Sequence, residues 1–246
     1  MNGENQDFVW IKRTGPILIK DGRLVFDYDP NTAIYCESIG NPSGNIVDIE
    51  ELSKMAHNYG IPVIVDNTVA TPYLCKPIDH GADIVVHSLT KYIGGHGTSI
   101  GGIIVDSGNF DWEAVPERQP SLNTPDPSYS DAIWTEAVKP LGPIAYILKA
   151  RTTLLRDLGA AMSPFNAFMF IQGIETLALR MKEHSKNGAM VAEFLQNHPK
   201  VERVSHPSVA DGFKKERADN YLNGGCGGLM GFEIKGGLES GKKFIE

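Results

Sequence analysis

The chain has 246 residues, 41% of them apolar and 22% charged, with a formal net charge of -7. That length carries one large domain or two small ones around a real core, and the acidity leaves no basic footprint for nucleic acid. Three widely spaced cysteines, Cys36, Cys75 and Cys226, make neither a zinc pattern nor a disulfide framework and fit a reducing compartment. No apolar run approaches a membrane span, and the opening MNGENQDFVW lacks the apolar core of a signal peptide, so a cytoplasmic protein is expected.

Residues 1–30 carry no chemistry. ILIK and RLVFDY, joined by Asp21-Gly22, have the pattern of a hairpin. From Asn31 the signals sharpen. Ala33 to Cys36 reads as a buried strand, and the turn-rich ESIGNPSG follows. Asp48, with Glu51 three residues on, predicts a capped helix over IEELSKMAHNY that stops at Gly60. Pro62 to Asp66 is a second buried strand, so strand, helix and strand form a βαβ unit with parallel pairing. Ile84–Val86 and Ile103–Val105 supply further strands of the same type. None of them alternates apolar with polar, so both faces of the sheet are expected to be covered.

Between those last two strands lies HSLTKYIGGHGTSIGG, where Ser88, Thr90 and Lys91 run straight into a glycine-dense loop. Glycine lets backbone approach a ligand closely. The hydroxyls can donate to phosphate oxygens, and the lysine can pair with an anion or act as a nucleophile. Taken alone, this stretch reads equally as a structural turn with a surface lysine. The lysine precedes the glycines, so it is not a nucleotide-binding P-loop. What distinguishes it is company. Ligands of parallel sheets sit at the carboxyl ends of the strands. Glu37 and Asn41, Asp66, and Ser88, Thr90 and Lys91 follow three such ends in turn.

The region Asp106–Pro127 is loop-like, with Pro116, Pro120, Pro125 and Pro127. Tyr129–Val138 and Ile144–Leu158 have helical patterns. Ser163-Pro164 opens a long helix through Phe194, in which Gly173 and Gly188 mark positions for a kink or break. Val201–Val204 and Leu229–Ile234 read as strands, Phe213–Tyr221 and Leu238–Glu246 as helices. Arg180 and His184 fall on helix and read as surface or interface groups; His87, His96 and Glu37 read as structural.

With Asp66 and Lys91 both in place, the sequence resembles the cystathionine γ-synthase-like (Cys/Met metabolism) family of pyridoxal-phosphate enzymes. The motifs are ESIGNP at 37–42, VDNT at 65–68, HSLTKYIGGHGTSIGG at 87–102 and SPFNAF…QGIETL from 163 to 177. GGHGT, where lyases and cystathionine synthases of the family typically read NGHSD, points to the O-acetylhomoserine sulfhydrylase branch. The resemblance implies an α/β protein of the type I pyridoxal-phosphate transferase fold, with a mostly parallel sheet and flanking helices. Its expected parts are a lead segment outside the family at 1–30, part of the cofactor-binding large domain at 31–162, and part of a small α+β domain at 163–246. It implies that Lys91 carries pyridoxal 5'-phosphate covalently and shuttles protons, that Asp66 pairs with the pyridinium nitrogen, that Ser88 and Thr90 bind the phosphate, and that Asn41 contacts the ring hydroxyl. The implied reaction is γ-replacement on O-acetylhomoserine by sulfide or methanethiol. The implied partners are those small molecules and further copies of the chain in a homotetramer. Family members are longer, with a phosphate-cradling glycine loop and a ring-stacking tyrosine upstream and a substrate-carboxylate arginine downstream. These residues therefore read as the middle of such an enzyme, as a truncated gene or a split reading frame would produce. An inactive remnant is the alternative.

Overall fold

The computed structural model describes residues 33–246 and four short strand segments upstream, β1 (Trp10–Ile11), β2 (Gly15–Pro16), β3 (Leu18–Lys20) and β4 (Arg23–Val25). β3 and β4 pair antiparallel, Leu18 opposite Val25 and Lys20 opposite Arg23, as the hairpin signal predicts. The main sheet is six-stranded, ordered β2-β1-β5-β6-β7-β8, where β5 is Ile34–Glu37, β6 Val63–Asp66, β7 Ile84–Ser88 and β8 Gly102–Asp106.

β5, β6 and β7 are parallel, with Glu37 opposite Asp66 and Asp66 opposite Val86. The crossover between β5 and β6 is helix α1 (Ile49–His57). Asp48 caps it by accepting the Glu51 N–H at 3.2 Å, and Ile49, Leu52 and Ala56 are buried at helical spacing. Tyr221 reinforces this cap: its hydroxyl donates to Asp48 Oδ1 at 2.5 Å.

β8 corrects one expectation: it runs antiparallel to β7, Val85 opposite Val105 and Ser88 opposite Gly102. The connection from Leu89 to Gly101 is a glycine loop with no crossover helix, and a parallel return needs one. Coverage is also less complete than the apolar runs suggest. β5 alternates, with Ile34 and Cys36 buried and Tyr35 and Glu37 exposed, and β8 exposes Ile103, Ile104 and Val105.

The core lies in two layers. On one face of the sheet, Ile34, Val63, Val65 and Val85 pack with α1 and with Phe170, Leu177, Met181 and Tyr221. On the other, Ile84, Ile64 and Val86 meet a layer from the proline-rich segment: Phe110, Trp112, Leu122 and Trp134. That second layer is built from short pieces, α3 (Pro120–Asn123), α4 (Trp134–Ala137) and α5 (Ala145–Lys149), the last running on to Asp157 in wider π-type turns. A four-residue helix, α2 (Thr71–Leu74), follows β6.

The long helix divides into α6 (Pro164–Glu175) and α7 (Leu177–Gln196), with the Ser163 hydroxyl capping α6 at the Asn166 N–H. The break is at Thr176, not at either glycine. Gly173 and Gly188 instead allow close approach. A Cβ on Gly173 would sit 2.4 Å from the Gly94 carbonyl oxygen, and one on Gly188 would sit 2.4 Å from that of Gly227. The core cluster thus runs unbroken across residue 163. Beyond α7, β9 (Val201–Ser205) and β10 (Gly231–Ile234) pair antiparallel, with α8 (Gly212–Tyr221) between them and α9 (Gly237–Ile245) last.

Gly188→Ala is expected to lose about 1–3 kcal/mol of stability from forced overlap with backbone. Gly241→Ala, on α9 with nothing within 4 Å of its added methyl, should be neutral or gain up to about 1 kcal/mol. Urea denaturation of both variants checks the contrast.

Candidate active site

The carboxyl ends of β5, β6 and β7 open onto one cavity of about 640 Å³, lined by Glu37, Asn41, Asp66, Thr68, Ser88 and Lys91, together with Tyr92, Gly95, Arg180 and His184. Small-molecule sites run from roughly 300 to 1,000 Å³. Pairing in register aims the Asp66 side chain to the same face as Glu37 and, two residues back, Tyr35.

Both carboxylate oxygens of Asp66 are held. The Thr68 N–H donates to Oδ1 at 2.9 Å, a local turn that fixes the side chain. The Tyr35 hydroxyl donates to Oδ2 at 2.9 Å. Burial, then the carboxylate it bonds, push the Tyr35 phenol well above its ordinary range, so it remains the donor in that pair. Thr68 also accepts the Ser88 N–H at 2.8 Å, which ties the end of β7 to the turn after β6. Asn67 between them is 1% exposed. Its amide donates to the Cys75 carbonyl and its oxygen accepts from Ser38, so this asparagine knits strand ends together rather than facing the cavity.

The Lys91 side chain is exposed, and its amine makes no ion pair or hydrogen bond among the described residues. It sits on a helical turn after β7, closed by Gly94 N–H to Leu89 O at 2.9 Å and Gly95 N–H to Lys91 O at 2.8 Å. Asn41 reaches the cavity because its backbone N–H donates to Glu37 Oε2 at 2.8 Å. Thr90 is the predicted residue that the fold keeps out of these walls. Its hydroxyl oxygen accepts the Gly101 N–H at 3.2 Å and lies 3.4 Å from the Gly101 carbonyl, pinning the two ends of the glycine loop.

Two residues read as surface or interface groups from sequence line the cavity instead. His184 lies against Tyr92, ring centroids 5.0 Å apart. Arg180 bonds the backbone of the lysine turn. His87 is buried behind the site with Nδ1 unpartnered among the described residues, and burial lowers its pKa from the ordinary 6.5. It is therefore neutral.

Known proteins share the sequence and fold of this chain. The model of the Cys/Met metabolism PLP-dependent enzyme family matches residues 22–246. The match begins inside the segment expected to lie outside the family. An O-acetyl-L-homoserine sulfhydrylase of Leptospira meyeri is 50% identical over 89% of this chain and 50% of its own length. A homocysteine synthase of Schizosaccharomyces pombe is 46% identical over 90% of this chain and 52% of its own. A crystal structure of a putative O-acetylhomoserine (thiol)-lyase from Campylobacter jejuni, carrying a pyridoxyl-lysine monophosphate, superposes with a TM-score of 0.76 at 38% identity, over 85% of this chain and 51% of that one. The chain spans about half the length of the relatives it matches.

Because His87 is held neutral in the folded state and titrates near 6.5 once unfolded, its contribution is complete above pH 6.5 and is lost as pH falls below it. His87→Gln is expected to flatten that loss. The check is urea unfolding of both proteins at pH 7.5 and pH 5.5, conditions about one unit either side of that midpoint.

Proposed function

The chain belongs to the Cys/Met metabolism PLP-dependent enzyme family, and from that premise we propose that its cavity holds pyridoxal 5'-phosphate and carries out γ-replacement on O-acetylhomoserine. In that reaction the Cγ–O bond to acetate breaks and a C–S bond to sulfide or methanethiol forms, giving homocysteine or methionine. The observation that carries the reading is the convergence of a braced carboxylate, an unpaired amine and a hydroxyl from two neighbouring strand ends around one cavity. Sulfhydrylases and homocysteine synthases among the relatives support the choice of reaction.

The residues present fit the cofactor. Asp66 would face the pyridine nitrogen and hold a proton on it, since a carboxylate fixed at both oxygens is pre-oriented to accept from an N–H cation. Ser88 lines the cavity, and its hydroxyl would donate to the phosphate. Thr90 is assigned to the phosphate by family pattern, and its bond to Gly101 supports a second part, that of holding the loop in shape beside Ser88. Asn41 would donate to the ring hydroxyl. Lys91 would be the covalent anchor. When bound, pyridoxal phosphate supplies an electron sink for a carbanion formed on an attached amino acid.

The remaining work falls to this chain's own groups. The Lys91 amine, on a short turn above the strand ends, would be freed when the amino-acid substrate takes its place; it would then accept the protons that Cα and Cβ lose before acetate leaves and return protons to both carbons after the C–S bond has formed. The Tyr35 hydroxyl and the Thr68 N–H keep the Asp66 carboxylate from rotating away. Assembly into a homo-oligomer working in the cytoplasm belongs to the same proposal. Its support is the apolar surface along α6, where Phe165 is 70% and Ile171 62% exposed. Among the described residues no helix is long and apolar enough to cross a membrane.

Protein mixed with pyridoxal phosphate is expected to turn yellow and, after borohydride reduction, to yield a labelled peptide containing Lys91. Lys91→Ala should abolish the labelling and cut any turnover by at least about 100-fold. Label found on a peptide without Lys91 overturns the assignment.

A further inference from the structure

The turn that carries Lys91 ends in backbone carbonyls that its own hydrogen bonds leave over. The last carbonyls of any helical turn lack intrahelical donors and must find partners elsewhere. Here the turn lies against α6 so closely that a Cβ on Gly173 would meet Gly94 O at 2.4 Å and Ile93 O at 2.8 Å. Gly94 and Ile93 are buried. Bulk water therefore has poor access to these oxygens, and a buried carbonyl left without a donor is costly.

His96 meets the first of these oxygens, its Nδ1 lying 2.7 Å from Gly94 O, and a single further side chain meets the others. Arg180, in the first turn of α7, donates from Nη1 to Tyr92 O at 2.6 Å and from Nη2 to Ile93 O at 3.2 Å and to Gly173 O at 2.6 Å. Its Nε donates to Thr176 Oγ1 at 3.1 Å, which fixes the plane of the guanidinium. Carbonyls from the lysine turn and from α6 thus meet on one rigid fork, and a lysine could not match that geometry. Gly95 closes the arrangement. It has φ +76° and passes so near that a Cβ would fall 2.6 Å from Nη1. The break in the long helix at Thr176 brings Arg180 and Thr176 to this position.

We infer that Arg180 is a positioning residue: its guanidinium locks the Lys91 turn to the α6–α7 junction and so sets where the Lys91 amine stands in the cavity. The inference rests on the proposed role of Lys91 and extends it to a side chain that touches neither cofactor nor substrate in that reading.

The test uses Arg180→Met, which keeps the apolar stem, and Thr176→Val, which removes the Nε acceptor together with a 3.4 Å hydrogen bond from the Thr176 hydroxyl to Gly173 O. In cofactor-free protein, amide hydrogen exchange at Gly94 and Gly95 is expected to rise about 10-fold or more in Arg180→Met and less, in the same sense, in Thr176→Val. The amides of Val65 and Val85 in the sheet should be unchanged. With pyridoxal phosphate added, borohydride labelling of Lys91 should fall about 10-fold in Arg180→Met, following the loss of alignment. Unchanged exchange at Gly94 and Gly95, an equal rise at every amide, or full labelling despite the local rise each overturn the inference. If Arg180→Met does not fold, Thr176→Val decides by the same exchange criterion. If the unsubstituted protein is not labelled at Lys91, the cofactor reading falls, and the exchange contrast still judges the lock.

Discussion

Parallel, in-register pairing of β5, β6 and β7 is the constraint on which the molecule depends. Residues opposite one another on such strands point the same way, so Glu37 and Asp66 share a face, and β7 delivers Ser88 to the same edge. The register is set from behind. Ile34, Val63, Val65 and Ile84 are fully buried, and a slip of one residue would turn each outward. Each such side chain contributes about 1.5–3 kcal/mol of burial. The positions of the cavity's polar groups are therefore enforced by apolar side chains that never touch it. The turn after β6 then adds fine control, since Thr68 serves Asp66 with its N–H and Ser88 with its hydroxyl oxygen.

Much of this was legible in the residues. Asp48 with Glu51 marked α1, the unbroken Ile/Val runs marked the strands, and Ser163-Pro164 marked the start of α6. Asn41, Asp66, Ser88 and Lys91 were singled out because polar groups follow three strand ends in succession and match the family's motifs, and the fold lines one cavity with them. Three things were read differently. The direction of β8 was missed although its signal was present: the glycine-rich stretch 89–101 has no helical pattern to serve as a crossover. Gly173 and Gly188 were taken as weak points, because composition does not distinguish a glycine that bends a helix from one that lets a neighbour's backbone in. Thr90 was placed on the phosphate beside Ser88 by the family resemblance alone; its hydroxyl also engages Gly101 across the glycine loop, which only the path of the loop reveals.

Arg180 was hidden for a different reason. Its acceptors are mainly main-chain carbonyls, and any residue type supplies those. A charged side chain on a helix is ordinarily a solvated one. The available hint was indirect: glycines at 94, 95 and 173 leave room for backbones to meet, and meeting backbones leave carbonyls in need of a donor. Tyr35 is similar. Its place on a strand read as core, yet it stands on the open face of β5 and braces Asp66.

The exposed flank of β8 has a consequence for handling the protein. Among the described residues no strand lies beyond it, so its outer row of amides and carbonyls is available to any extended peptide that comes alongside. Ile103, Ile104 and Val105 are 45%, 40% and 38% exposed, and no charge interrupts the strand until Asp106 at its end. Lysines, prolines and bulges are the usual guards of such a margin, and this strand has none of them. This ribbon of backbone is therefore a place where copies of the chain can join edge to edge, and a single lysine in place of Ile104 is the smallest change that would blunt it.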